Sequence, residues 1–123
     1  MSEIIRPNEG GKRIIDHNKL VRDKIPQCIE NDGKNPDTRI LDKEEYREAL
    51  REKIGEEARE LQNAKTPEDI RDELADLLEL IDATARAEGL DIEDIKAHKV
   101  AKLQERGGFE KGIFLESVTE HLD

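Results

Sequence analysis

Between residues 43 and 65 the apolar positions Tyr46, Leu50, Ile54, Ala58 and Leu61 recur every three or four residues, the period of one face of an α-helix. A second segment of the same kind follows, with Ile70, Leu74, Leu77, Leu78 and Ile81 as its inner stripe and Leu80, Ala83 and Ala87 widening one flank. A third, beginning near Asp91, sets Ile92, Ile95 and Leu103 on its inner side. Local punctuation places the ends. Asp42 with Glu45 three residues later is a capping-type start, and Thr66-Pro67-Glu68-Asp69 supplies an N-cap, a first-turn proline and early acidic residues. Gly89 stops the second helix; Asp91 to Asp94 caps the third, which Gly107-Gly108 ends. Upstream, Pro26 suits the first turn of a short helix running to about Asn31 and closed by Gly33. Residues 31–41 read as loop with a short extended stretch at 38–41, and residues 109–116 as a short strand or extended tail.

The link between the first two long helices is short, so they are expected to pack antiparallel as an αα-hairpin. The expected fold is all-α: a helical bundle built on this pair, completed by oligomerisation, with a short extended C-terminal segment. Residues 1–18 read as a polar, loose arm, residues 19–116 as the helical domain and residues 117–123 as a frayed tail.

Composition changes this picture in two ways. With 2 Phe, 1 Tyr and no Trp in 123 residues, the core is aliphatic and thin, so a second copy of the chain would add what one copy lacks. The formal charge of −10 argues against general binding to nucleic acid or anionic membrane. Apolar runs of only a few residues and the absence of a signal-type segment point to the cytoplasm. Cys28 has no partner for an internal disulfide and no activating base near it in sequence; His17, His98 and His121 read as surface residues.

The candidate chemistry lies in two acidic pairs, Glu57-x-x-Glu60 and Glu73-x-x-Asp76, one on each of the first two long helices. Spacing alone carries no weight, because 31 acidic residues in 123 give roughly eight such pairs by chance. Position on the helix decides. Glu57 falls inside the apolar stripe and Glu60 at its edge, and Glu73 and Asp76 sit on the apolar flank of the next helix, whereas Glu56, Asp72, Glu79 and Asp82 point elsewhere. Inward carboxylates demand a counter-charge, since a buried unpaired charge costs several kcal/mol. An antiparallel hairpin brings the two pairs to similar heights, and an oxygen-only donor set favours Mg²⁺, with Mn²⁺ the alternative.

The third helix carries the opposite sign, with Lys99 and Arg106 in its inner arc and Lys102 at the edge. Two roles are open to them: contact with substrate phosphate, or neutralisation of the acidic helices. Lys19, Arg22 and Lys24 form a second small basic group, a trait that taken alone reads as solvated surface.

Taken together, these residues resemble the all-α MazG-type nucleotide pyrophosphohydrolases, related to phosphoribosyl-ATP pyrophosphohydrolase. The E-x-x-E and E-x-x-D pattern of that superfamily matches Glu57-Ala-Arg-Glu60, twelve residues, and Glu73-Leu-Ala-Asp76. A phosphate-contacting K-x-x-x-R matches Lys102 and Arg106. Lys19-Leu-Val-Arg-Asp-Lys-Ile-Pro26 and Arg106-Gly-Gly-Phe109 look like the opening and closing signatures of a house-cleaning branch, and the likeness covers residues 18–116. The resemblance implies Mg²⁺-dependent cleavage of a nucleoside triphosphate between its α and β phosphates. Glu57, Glu60, Glu73 and Asp76 would hold metal, Lys99, Lys102, Arg106, Lys19 and Arg22 would bind substrate, and Glu56 or Glu57 would take the proton of the attacking water. It also implies a homodimer or homotetramer. Two rival readings stand beside it: a phosphoribosyl-ATP pyrophosphohydrolase, and a catalytically silent helical interaction module in which the cations merely pair with the carboxylates.

Overall fold

The computed structural model describes residues 4–122. The chain divides into two compact units, the first ending at Leu90 and the second beginning at Asp91.

The first unit opens with an antiparallel hairpin of β1 (Ile4–Glu9) and β2 (Lys12–Asp16), paired through Ile4 with Asp16, Ile5 with Ile15 and Glu9 with Lys12. The expected loose arm is therefore ordered backbone. Gly10 and Gly11 both take positive φ, 60° and 77°, as a two-residue turn compatible with strand twist requires. Helix α1 (Ile25–Asn31) follows, with Pro26 in its first turn as expected. Residues 34–42 carry no regular element, so the extended stretch expected at 38–41 does not form a strand.

Helices α2 (Lys43–Asn63) and α3 (Pro67–Ala87) form the hairpin that the site rests on. The Asp42 carboxylate accepts from the Glu45 N–H at 2.9 Å and the Thr66 hydroxyl accepts from the Asp69 N–H at 3.1 Å, satisfying donors that a helix start leaves orphaned. Glu45 does not close a reciprocal box, because its carboxylate is held by Arg39 at 2.9 Å. At the far end of α3 the Leu90 N–H donates to Ala85 O and the Gly89 N–H to Arg86 O, with Gly89 at φ 70°. These are the two bonds of a Schellman stop, which a left-handed glycine allows.

The antiparallel arrangement is fixed by contacts between distant ends. Arg47, near the start of α2, donates to Ala87 O at the end of α3 (3.2 Å), and Arg51 pairs with Glu88 at 3.1 Å. Leu50 and Ala85 are the buried apolar residues here, and Tyr46, Ile54, Ala58 and Leu61 are half-buried, as the stripe on α2 predicts.

The stripe on α3 is a different matter. Ile70, Leu74, Leu78 and Ile81 are exposed, Leu78 by 65%, while Glu73, Asp76, Leu77, Leu80, Ala83 and Ala87 are half-buried. The face that meets α2 is thus the flank, rotated by about a third of a turn from the most apolar arc. The displaced arc leaves an open apolar groove of about 550 Å³ along Pro67, Ile70, Arg71, Leu74, Ala75 and Leu78.

The second unit holds α4 (Ile92–Arg106), started by Asp91 accepting from the Glu93 N–H at 2.9 Å and ended at Gly107. Ile92 and Ile95 are half-buried, and Leu103 is exposed. Residues 109–122 form no strand, and the segment opens with a turn in which the Gly112 N–H donates to Phe109 O at 3.0 Å. Among the described residues no helix is long and apolar enough to cross a membrane.

Candidate functional site

Six residues before the end of α2, Glu57 is 6% exposed. The same helical face that buries Leu50 two turns earlier carries it inward, because residues seven apart nearly coincide around a helix. Opposite it on α3 lies Glu73, half-buried. Glu57 Oε2 and Glu73 Oε2 are both buried and have no hydrogen-bond partner. Two ionised carboxylates offer only acceptors, so neither can satisfy the other without a proton or a cation between them.

The acidic atoms fall into two overlapping groups. Glu56, Glu57 and Glu60 bring one oxygen each within 4.8 Å of one another, and so do Glu57, Glu73 and Asp76. Glu57 belongs to both. Ligands around Mg²⁺ stand at about 2.0–2.1 Å and around Ca²⁺ at about 2.3–2.6 Å, so opposite oxygens are separated by roughly 4–5 Å. The spacing therefore fits a hard divalent cation with little side-chain movement, and the all-oxygen donor set selects against soft metals. The buried, donor-less oxygens of Glu57 and Glu73 are groups that a positive charge could satisfy.

Burial and like charge leave their mark on Glu57. Desolvation first, then the Glu73 carboxylate, which can accept a hydrogen bond only from the protonated form of Glu57, and the negative field of Glu60 push its carboxyl up to about 8. A cation of charge two would reverse that balance.

Two basic residues already touch the cluster. Lys53 lies one turn before the acidic pair on α2, with its ammonium 3.6 Å from Glu56 and 3.7 Å from Glu57. Lys53 was not among the residues expected at the site, although its i,i+3 and i,i+4 spacing to Glu56 and Glu57 is a signal present in the sequence. Arg22, on the segment between β2 and α1, donates from Nη2 to Asp76 Oδ1 at 2.6 Å. Arg22 is exposed, as a surface position would have it, and at the same time is a direct partner of a candidate metal ligand.

The remaining candidates are placed as follows. Glu60 is exposed at the rim and Glu56 is half-buried. Glu56, expected to point away from the inward face, thus stands with Glu57 and Glu60 instead. Lys19 is exposed, and among the described residues no ion pair joins it to the carboxylates. Lys99, Lys102 and Arg106 are exposed on α4, in the second unit. Cys28, His17, His98 and His121 are exposed.

Comparison with known proteins gives this geometry a lineage. The family model for phosphoribosyl-ATP pyrophosphohydrolase matches residues 22–103, from Arg22 before α1 through most of α4. The chain belongs to the phosphoribosyl-ATP pyrophosphohydrolase family. That family lies within the MazG-like all-α pyrophosphohydrolase superfamily, and the matched span contains every carboxylate of the cluster together with Arg22 and Lys53. An uncharacterized protein of Mycolicibacterium smegmatis (strain ATCC 700084 / mc(2)155) is 46% identical over 48 residues, covering 39% of this chain and 49% of that protein. The chain thus spans about half the length of the curated relative it matches. No solved structure matches the chain.

Proposed function

We propose that this member of the phosphoribosyl-ATP pyrophosphohydrolase family is a divalent-metal-dependent nucleoside triphosphate pyrophosphohydrolase. It cuts between the α and β phosphates, releases monophosphate and pyrophosphate, and serves to clear unwanted nucleotides from the pool. The observation that carries the metal-dependent part is the pair of buried, donor-less oxygens on Glu57 and Glu73. The opening block from Lys19 to Pro26 favours the house-cleaning branch.

Glu57, Glu73 and Asp76, with Glu60 at the rim, are the proposed ligands of Mg²⁺ or Mn²⁺. A divalent cation held there supplies Lewis-acid stabilisation of charge on phosphate oxygens and makes water a better nucleophile. Glu56 is the better base of the two candidates, because Glu57 is shared between both carboxylate groups and committed to holding charge, while Glu56 is half-buried beside it. A Glu56 carboxylate oxygen takes the proton as the water oxygen bonds to the α phosphorus, and the bond from that phosphorus to the bridging oxygen breaks toward pyrophosphate. Lys53 pairs with Glu56 at 3.6 Å and holds that carboxylate in place beside the cluster. On the sequence pattern of the superfamily, Lys102 and Arg106, with Lys99 and Lys19, are the proposed donors to the phosphates.

The family match accommodates a second substrate equally well, phosphoribosyl-ATP, in which the same kind of anhydride bond is cut. Phosphorus NMR with Mg²⁺ and a panel of ordinary and modified nucleoside triphosphates plus phosphoribosyl-ATP separates the two. Monophosphate and pyrophosphate from a triphosphate are expected. Turnover of phosphoribosyl-ATP alone would replace this reading with the second, and no product from any substrate with Mg²⁺ or Mn²⁺ would leave a silent helical module.

The proposed active form is a homo-oligomer. Its support is the exposed arc of Ile70, Leu74, Leu78 and Ile81, which the chain's own α2 does not cover. Contiguous apolar surface of this kind on a soluble protein marks an association site, and a second copy supplies a matching arc. Leu78→Glu is expected to shift the mass measured by light scattering from dimer or tetramer to monomer with helicity retained. A wild-type chain that is already monomeric at micromolar concentration would overturn this.

A further inference from the structure

Arg22 spends its charge on a carboxylate that the proposed function assigns to the metal. Nη2 donates to Asp76 Oδ1 at 2.6 Å, and Asp76 brings an oxygen within 4.8 Å of those of Glu57 and Glu73. A guanidinium cannot escape a competing cation by losing its proton, so it must move. Three features make that movement easy. The pair is open to solvent, with the Arg22 side chain 58% exposed and Asp76 36%, and ion pairs so exposed are weak. Arg22 lies on a stretch with no helix or strand, so its side chain pivots without unwinding an element. Its backbone stays anchored, because the Ile25 N–H donates to Arg22 O at 3.0 Å where α1 begins.

We propose that Arg22 is a tethered competitor for the Asp76 arm of the carboxylate cluster, displaced by the divalent cation and handed by that displacement to a phosphate oxygen of the substrate. The inference rests on the metal-site reading above and extends it. A displaced guanidinium keeps its planar fork and its charge, and a phosphate beside the site is the anion that fork fits best. Glu79 and Glu57 add attraction to Arg22 at longer range and hold it near the cluster after it leaves Asp76. Lys53 does not share this role. It is 20% exposed and is held to Glu56 and Glu57 by the geometry of one helix, so it stays where Arg22 swings.

The consequence is a linkage between ion and substrate. Without phosphate, Arg22 opposes ion binding; with phosphate present, the freed guanidinium gains a partner and the opposition disappears. Calorimetric titration of Mn²⁺ into the full chain tests this, with inorganic phosphate as the anion probe. Arg22→Gln is expected to bind Mn²⁺ alone about two- to fivefold more tightly than wild type, the range by which an exposed ion pair alters an equilibrium. Phosphate is expected to tighten Mn²⁺ binding by wild type and to do so by a smaller factor in Arg22→Gln. Arg51→Gln, which removes an equal charge from the Glu88 pair, is expected to bind Mn²⁺ as wild type does. Equal or weaker Mn²⁺ binding by Arg22→Gln, or an equal gain in Arg51→Gln, would overturn the competition. An undiminished effect of phosphate in Arg22→Gln would overturn the hand-over. If neither wild type nor Arg22→Gln takes up Mn²⁺, the metal-site reading itself falls, and the competition with it. Should Arg22→Gln fail to fold, Arg22→Lys keeps the charge but loses the fork; Mn²⁺ affinity and phosphate response both identical to wild type would overturn the proposal.

Discussion

Glu57→Gln is expected to abolish Mn²⁺ binding and pyrophosphate release and, in the same protein without metal, to raise the melting temperature at pH 9. The two effects have one origin. Glu57 is buried against Glu73 and near Glu60, and its carboxyl is pushed up to about 8 from an ordinary 4.5. In the folded chain it therefore binds a proton over a range where the unfolded chain has released it, and stability falls as pH rises from about 4.5 through about 8. Above that range the folded state carries the whole cost, on the order of several kcal/mol at about 1.4 kcal/mol per unit. Glutamine has the same shape, no charge, and an amide that can donate to Glu73 Oε2, which has no donor in wild type. The metal-free variant should melt roughly 5–10 °C higher than wild type at pH 9, with the difference shrinking toward pH 5. In wild type, Mn²⁺ competes with the Glu57 proton, so its affinity rises with pH up to about 8 and its stabilisation, RT ln(1 + [M]/Kd), rises with it. Differential scanning calorimetry from pH 5 to pH 9, with and without Mn²⁺, reads all of this. A melting temperature that drops in metal-free Glu57→Gln at pH 9, or Mn²⁺ affinity equal to wild type, would remove Glu57 from the centre of the site.

How much of this was legible beforehand depends on the range over which each feature is decided. The caps at Asp42, Thr66 and Asp91 and the stop at Gly89 are settled within a few residues, and the helices begin and end beside them as the sequence indicates. The inward position of Glu57 follows from a stripe on one helix and survives intact. The N-terminal hairpin was hidden because its isoleucines flank Gly10-Gly11 within a polar stretch, where paired glycines read as a breaker as readily as a turn. The orientation of α3 was misjudged for a different reason. Periodicity finds the most apolar arc, Ile70, Leu74, Leu77, Leu78 and Ile81, of which Leu77 alone is half-buried, whereas packing on α2 uses the neighbouring flank with Leu80, Ala83 and Ala87. Sequence cannot say whether an apolar arc meets its own chain or another. The Arg22 to Asp76 contact joins residues 54 apart and has no local signature at all.

Leu50→Ala is expected to have the largest effect on stability of any single truncation in the hairpin. Leu50 is 2% exposed and is the largest fully buried side chain among the described residues. Removing it deletes the anchor of a thin core, at a cost of about 2–5 kcal/mol in comparable aliphatic truncations. Against the 5–15 kcal/mol typical of a domain, that is a large share. The urea midpoint should fall accordingly, and a shift equivalent to less than about 1 kcal/mol would mean that the hairpin is held elsewhere. Leu50 and Glu57 stand on one face of α2, seven residues and about 10 Å apart, so their effects on stability oppose one another and should nearly add. The double variant Leu50→Ala, Glu57→Gln is therefore expected to be more stable at pH 9 than Leu50→Ala without metal, while Mn²⁺ rescues Leu50→Ala and fails to rescue the double variant. Such a pattern would identify the buried carboxylate as the strain and the cation as its remedy, because rescue by metal would then depend on Glu57 and not on the depth of the core.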